Sequence, residues 1–136
     1  MCQHIAESAR IGKDCTIGKN AVILEDVKIG DDVYIGHNVV IHEGTKIGSS
    51  VYIDDGSILG RVPFSGALSR DKAPVELPPL EIGDDCKICA GVILYAGVKI
   101  GNHVLIGDHA SIQQDSSVGD KSIIGRLVNT DARAIT

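Results

Sequence analysis

The chain has 136 residues and a formal net charge of −5, a length that suits one domain. Apolar residues make up 43%, enough for a core, but aromatic ones only 3%, so that core is aliphatic and large stacking platforms for bases are absent. The acidic balance excludes a non-specific nucleic-acid binder, no apolar run reaches membrane-spanning length, and the amino-terminal residues lack the order of a signal peptide, so a soluble cytoplasmic protein is expected.

From the amino terminus, Ile recurs every sixth residue: Ile5, Ile11, Ile17, Ile23, Ile29, Ile35, Ile41, Ile47 and Ile53, with Leu59 continuing the series. Two residues before each from Ile11 onward stands something small or β-branched, such as Ala9, Cys15, Ala21, Val27, Val33 and Val39. A period of six fits neither a helix nor a plain strand, but it fits a short strand followed by a turn, repeated. Residues i and i+2 of a strand share a face, so the Ile and the residue two before it form the interior. Gly often follows the Ile, and the Gly-Asp, Gly-Lys and Gly-Asn pairs are expected to make the turns.

The series breaks at residues 60–80, GRVPFSGALSRDKAPVELPPL. Pro63, Pro74, Pro78 and Pro79 cannot join a ladder, and Phe64, the only Phe, lies here with Arg61 and Arg70. A long loop inside a compact domain suggests function. The period resumes at Ile82, Ile88, Leu94, Ile100, Ile106, Ile112, Val118 and Ile124. In the tail, 127–136, Thr130 stands where Ile is expected, and an irregular segment is predicted. Cys86-Lys87-Ile88-Cys89 has the spacing of a redox or zinc pair. The repeat, however, points Cys86 inward and Cys89 outward, on opposite sides of one strand. Cys15 and Cys86 therefore read as core filler.

This repeat resembles the hexapeptide-repeat family, whose fold is the left-handed parallel β-helix with three hexads to each triangular coil. The resemblance implies a single all-β domain over 1–136 in which residues 18 apart stack. The residues following the repeat Ile then form three columns. One is Gly12, Gly30, Gly48, Gly83, Gly101 and Gly119; a second is Gly18, Gly36, Asp54, Cys89, Gly107 and Gly125; the third is Ala6, Leu24, His42, Gly60, Tyr95 and Gln113. The loop leaves from the third face and returns to the all-Gly face. Outward residues on the third face include Val22, Val40, Ile58 and Ile93, an apolar stripe that marks an interface. Parallel prisms packed as a homotrimer through the Leu24/His42/Tyr95 face are what the family implies.

Repeat, loop and distinct faces resemble the hexapeptide acyltransferases, and IGDDCKICAGVILYAGVKIGNHVLIGDHASI after the Pro-rich loop is most similar to the nucleotide-sugar N-acetyltransferases. This resemblance implies acetyl-CoA or another acyl-CoA as co-substrate, and no metal. The acceptor, an amine or hydroxyl of a sugar derivative, attacks the thioester directly in a cleft between subunits, helped by a His base. His42 is the first candidate; His37 and His103, with His109, are second. The loop contains no His, which suits an amine acceptor. The CoA phosphates want cations, for which Lys121, Arg126 and Arg133 are at hand, and the pantetheine wants backbone near Gly101, Gly107 and Gly119. Two alternatives stand beside this. IGDDVYIGHNVVIHEGTKIG is similar to the γ-class carbonic anhydrases, whose paired zinc ligands match His37 and His42, with only His4 upstream. The third reading is a non-catalytic assembly module, since a fold alone does not establish function.

Overall fold

The computed structural model describes residues 3–63 and 77–130. The first coil is β1 (His4–Ile5), β2 (Arg10–Ile11) and β3 (Thr16–Ile17); the second is β4 (Val22–Ile23), β5 (Lys28–Ile29) and β6 (Tyr34–Ile35). The third is β7 (Val40–Ile41), β8 (Lys46–Ile47) and β9 (Tyr52–Ile53), and the fourth β10 (Ile58–Arg61), β11 (Glu81–Ile82) and β12 (Lys87–Ile88). The fifth is β13 (Ile93–Tyr95), β14 (Lys99–Ile100) and β15 (Leu105–Ile106), the sixth β16 (Ser111–Ile112), β17 (Ser117–Val118) and β18 (Ile123–Ile124), and β19 (Asn129–Thr130) begins another. Every third strand pairs in parallel, giving a first sheet β1-β4-β7-β10-β13-β16-β19, a second β2-β5-β8-β11-β14-β17 and a third β3-β6-β9-β12-β15-β18. This is the left-handed parallel β-helix, with the pairing that the columns predict: Ile5 lies on Ile23, Ile11 on Ile29 and Ile17 on Ile35. Among the described residues no helix is long and apolar enough to cross a membrane.

The interior is a column of Ile and Leu lined by the small residues two places earlier. Ile23, Ile35, Ile41, Ile53, Ile88, Ile106 and Ile112 are sealed from solvent, as are Val27, Val39 and Val92. Cys86 takes such an inward slot and Cys89 is half-buried on the outside; both thiols are free.

The turns differ from the expectation in one respect. The left-handed residue is not the Gly after the Ile but the residue two further on, such as Asp14, Asn20, Asp26, Asp32 and Asn38, each with φ near 60°. Asn and Asp tolerate that region. The Gly is needed for space: a Cβ on Gly48 would stand 2.3 Å from Asp84 Oδ1 and 2.8 Å from the Gly83 carbonyl. At this corner each coil's side-chain oxygen accepts a backbone N–H from the coil before. Asp31 serves Lys13 (2.8 Å), Ser49 serves Asp31 (3.0 Å), Asp84 serves Ser49 (2.8 Å), Asn102 serves Asp84 (2.7 Å) and Asp120 serves Asn102 (2.8 Å).

The insertion is shorter at both ends than its composition suggests. β10 runs through Gly60 to Arg61, and Leu80 is sealed in the core, where its carbonyl accepts the Lys46 N–H at 2.9 Å. Leu80 stands two before Ile82 and fills an inward slot. Phe64, Arg70 and Pro74 lie outside the described residues. The coil also persists beyond 127, where an irregular tail is predicted. Thr130 pairs with Ile112, and its Oγ1 accepts the Gln113 N–H at 3.2 Å, so hydrogen bonding carries the ladder where apolar patterning stops.

Candidate active site

His42 follows the buried Ile41 of β7 on the first sheet, half-exposed, with its backbone N–H on the Leu59 carbonyl (2.8 Å). Its Nδ1 is 3.9 Å from Glu43 Oε1. Leu59 pairs with Ile41, which lays Gly60 over His42. Gly60 has φ of 83°, and a Cβ there would come within 2.4 Å of Thr45 Oγ1 and 3.4 Å of His42 Cβ. Only glycine adopts that conformation without strain in so tight a space. The register slips at this residue: Leu59 pairs with Leu94, but Arg61 pairs with Tyr95, leaving Gly60 as a bulge. Arg61 carries its guanidinium over the Tyr95 ring, 5.8 Å from the centroid.

The returning chain lies along the corner beside this bulge. Pro79 Cβ would touch a Cβ on Gly44 at 3.3 Å, and Leu77 reaches Gly97. Thr45 Oγ1 is buried and has no hydrogen-bond partner among the described residues. His42, Gly60, Arg61 and Tyr95 thus adjoin at the point where the chain leaves the helix. Around them Val22, Val40, Ile58 and Ile93 are half-buried on the outward side of the same sheet.

Of the other histidines, His4 is exposed in β1 at the start of the first sheet, and His37, His103 and His109 stand at corners. His37 Nδ1 accepts the Lys19 N–H at 2.7 Å, and the His37 N–H donates to Asp55 Oδ1 at 2.8 Å, so the imidazole is a rung of a corner ladder. His103 is left-handed (φ 57°), exposed, with Nε2 3.8 Å from Asp85 Oδ2. His109 is also left-handed and its ring covers Gly91. Among the described residues no three His, Cys, Asp or Glu gather as metal ligands.

The residues expected near CoA divide between two corners. Gly101, Gly119 and Lys121 lie between the second and third sheets; Gly107 and Arg126 lie where the third sheet turns into the first. The backbone N–H groups of Gly101 and Gly107 are taken by the Val118 and Ile124 carbonyls at 2.9 and 2.7 Å. Arg133 lies outside the described residues. The sequence reading missed the part played by Gly60 and Arg61. A Gly in a strand position beside a chain departure was the available signal.

On the third sheet Tyr34 and Tyr52 stack with centroids 4.6 Å apart, and Lys87 Nζ lies 5.7 Å from the Tyr52 centroid. The Tyr52 phenol is pushed above its usual range by desolvation and then by Asp54. The Cys86 thiol is raised by burial, and so is that of Cys89.

No curated protein matches the sequence. Solved structures match the fold. The UDP-N-acetylglucosamine acyltransferase of Francisella novicida aligns with a TM-score of 0.73 at 17% identity, over 98% of this chain and 56% of its own. That of Bacteroides fragilis gives 0.65 at 20%, over 98% and 62%. That of Campylobacter jejuni gives 0.64 at 19%, over 97% and 66%. The chain therefore spans little more than half the length of the first of these, and at such identities the likeness concerns the fold. The hexapeptide repeat of succinyl-transferase matches residues 26–61. The six-repeat bacterial transferase hexapeptide matches 8–43 and 79–114, the coils on both sides of the insertion; with more than half of its residues so matched, the chain belongs to the bacterial transferase hexapeptide family.

Proposed function

We propose that the protein is an acyl-CoA-dependent acyltransferase that moves an acetyl group to an amine or hydroxyl of a sugar or nucleotide-sugar. The observation that carries the reading is the placement of His42. Alone among the histidines of the described coils it stands beside the Gly60 bulge, half-exposed, on the apolar sheet from which the insertion departs. The relatives in fold are UDP-N-acetylglucosamine acyltransferases, which supports a nucleotide-sugar acceptor.

In this reaction the acceptor's lone pair attacks the thioester carbonyl carbon. A C–N or C–O bond forms, the C–S bond breaks, and sulfur leaves as the CoA thiolate. His42 takes the acceptor's proton and can pass it to the thiolate. The half-buried stripe Val22, Val40, Ile58 and Ile93 packs against sister subunits in a homotrimer, so the cleft is shared between them. Of the two edges holding candidate CoA ligands, that of Gly107 and Arg126 leads directly into the first sheet at β19, and the CoA phosphates belong there; Lys121 with Gly101 and Gly119 is the farther edge. A cytoplasmic setting suits a CoA-dependent reaction.

The test is acetyl-CoA turnover against amino- and hydroxy-sugar nucleotides, with CoA affinity measured by thermal shift. Loss of a general base costs about 100- to 10,000-fold, so His42→Ala is expected to lower kcat by that range while CoA still binds. An unchanged kcat removes His42 from the mechanism; absence of any CoA binding by the wild type removes acyl transfer.

A further inference from the structure

Among the described residues Arg61 is the one lysine or arginine in the strands of the first sheet. Its neighbours on that face are apolar, yet the guanidinium is exposed, and among the described residues no carboxylate lies within ion-pair distance of it. It is nonetheless held in place. The Gly60 bulge brings Arg61 into register with Tyr95, its carbonyl accepts the Ala96 N–H at 2.8 Å, and its charge lies over the Tyr95 ring. An arginine whose backbone is pinned and whose guanidinium rests over a ring, with no carboxylate partner among the described residues, is prepared for a two-oxygen anion. A guanidinium without a partner among the described residues is costly on a face that the proposed trimer would bury, which calls for an anion there when the cleft is complete.

We propose that Arg61 is a specificity-determining residue that binds an oxyanion of the acceptor, with Tyr95 as its positioning residue. The proposal rests on the acyltransferase reading above. Arg61 follows Gly60, whose backbone abuts His42, so its ligand lies close to the reacting centre. CoA carries its diphosphate a whole pantetheine arm from the sulfur, which leaves the acceptor as the source. A phosphate of an activated sugar and the carboxylate of a sugar acid share the required chemistry.

The test compares three aminosugar acceptors with acetyl-CoA: one nucleotide-activated, one a uronate, one uncharged. Measurements use the full chain as wild type, Arg61→Ala and Arg61→Lys. Wild type is expected to prefer one of the charged acceptors over the uncharged one in kcat/KM by roughly ten- to hundredfold, the scale of a charge-assisted bond. The preference should collapse in Arg61→Ala, mainly through KM, and be partly kept in Arg61→Lys, which retains charge but not the fork; which acceptor leads identifies the anion. Equal use of all three by the wild type, or a preference that survives in Arg61→Ala, overturns the proposal. If none of the three is turned over, Arg61 is judged by binding alone, while acyl transfer stands or falls with CoA binding. Pyrophosphate or glucuronate should then raise the unfolding temperature of the wild type and not of Arg61→Ala, and no shift with either overturns the assignment. Unfolding temperatures without ligand establish that both variants are folded.

Discussion

At Gly60 two constraints meet in one residue. The backbone is left-handed, and the space where a side chain would begin is filled by Thr45 Oγ1. Gly60→Ala is expected to destabilise the protein by about 1–3 kcal/mol, seen as a lower denaturant midpoint, and to disturb Arg61 and Tyr95 beyond it. The thiol of Cys86 is expected to behave differently from an ordinary cysteine. Burial keeps it protonated above the usual range, and the thiolate is the reacting form. Native protein at pH 8 should therefore leave Cys86 unalkylated, and peptide mapping should find it labelled only after unfolding; rapid native labelling contradicts the inward placement.

The unit above the residue is the corner, where a side-chain oxygen of one coil receives an N–H of the coil before. Asp84→Ala removes the acceptor of the Ser49 N–H and is expected to cost about 1 kcal/mol. It also removes the atom nearest to a Cβ on Gly48. It does not rescue Gly48→Ala, however, because the Gly83 backbone stands 2.8 Å away; chemical denaturation of the two single variants and the double variant measures this. Strand positions and register were legible because Ile recurs at a fixed interval and each coil repeats its neighbours. The glycine columns were legible as columns but not in purpose, since closeness between coils is invisible until the coils are stacked. Leu80 and Thr130 escaped for a related reason. One is larger than the usual occupant of its slot and sits behind two prolines, while the other serves through its hydroxyl rather than through bulk. His42 could be placed on its face from the spacing together with the three hexads to a coil that the family resemblance implies, whereas the bulge that brings Arg61 to Tyr95 depends on a backbone angle that spacing does not encode.

As a whole the molecule is a stack in which each coil touches only the next, so its association depends on the flanks. The stripe Val22, Val40, Ile58 and Ile93 is one flank with apolar side chains facing outward; the third sheet carries another in Tyr52, Leu105 and Ile123, and the first is the one from which the insertion departs. Sedimentation is expected to give a trimer, and Val40→Arg, which buries an unmatched charge at the contact, is expected to yield folded monomers at micromolar concentration. A wild type that sediments as a monomer contradicts the shared cleft. The chain departs at Arg61 and re-enters at Leu80, already in step with Lys46. Leu77 and Pro79 rest on the corner beside it, so the stretch between Pro63 and Leu77 is where a different length or composition is expected to leave every rung in place, and the departure point works as a socket: new recognition can be plugged in there while the spindle that carries it stays the same.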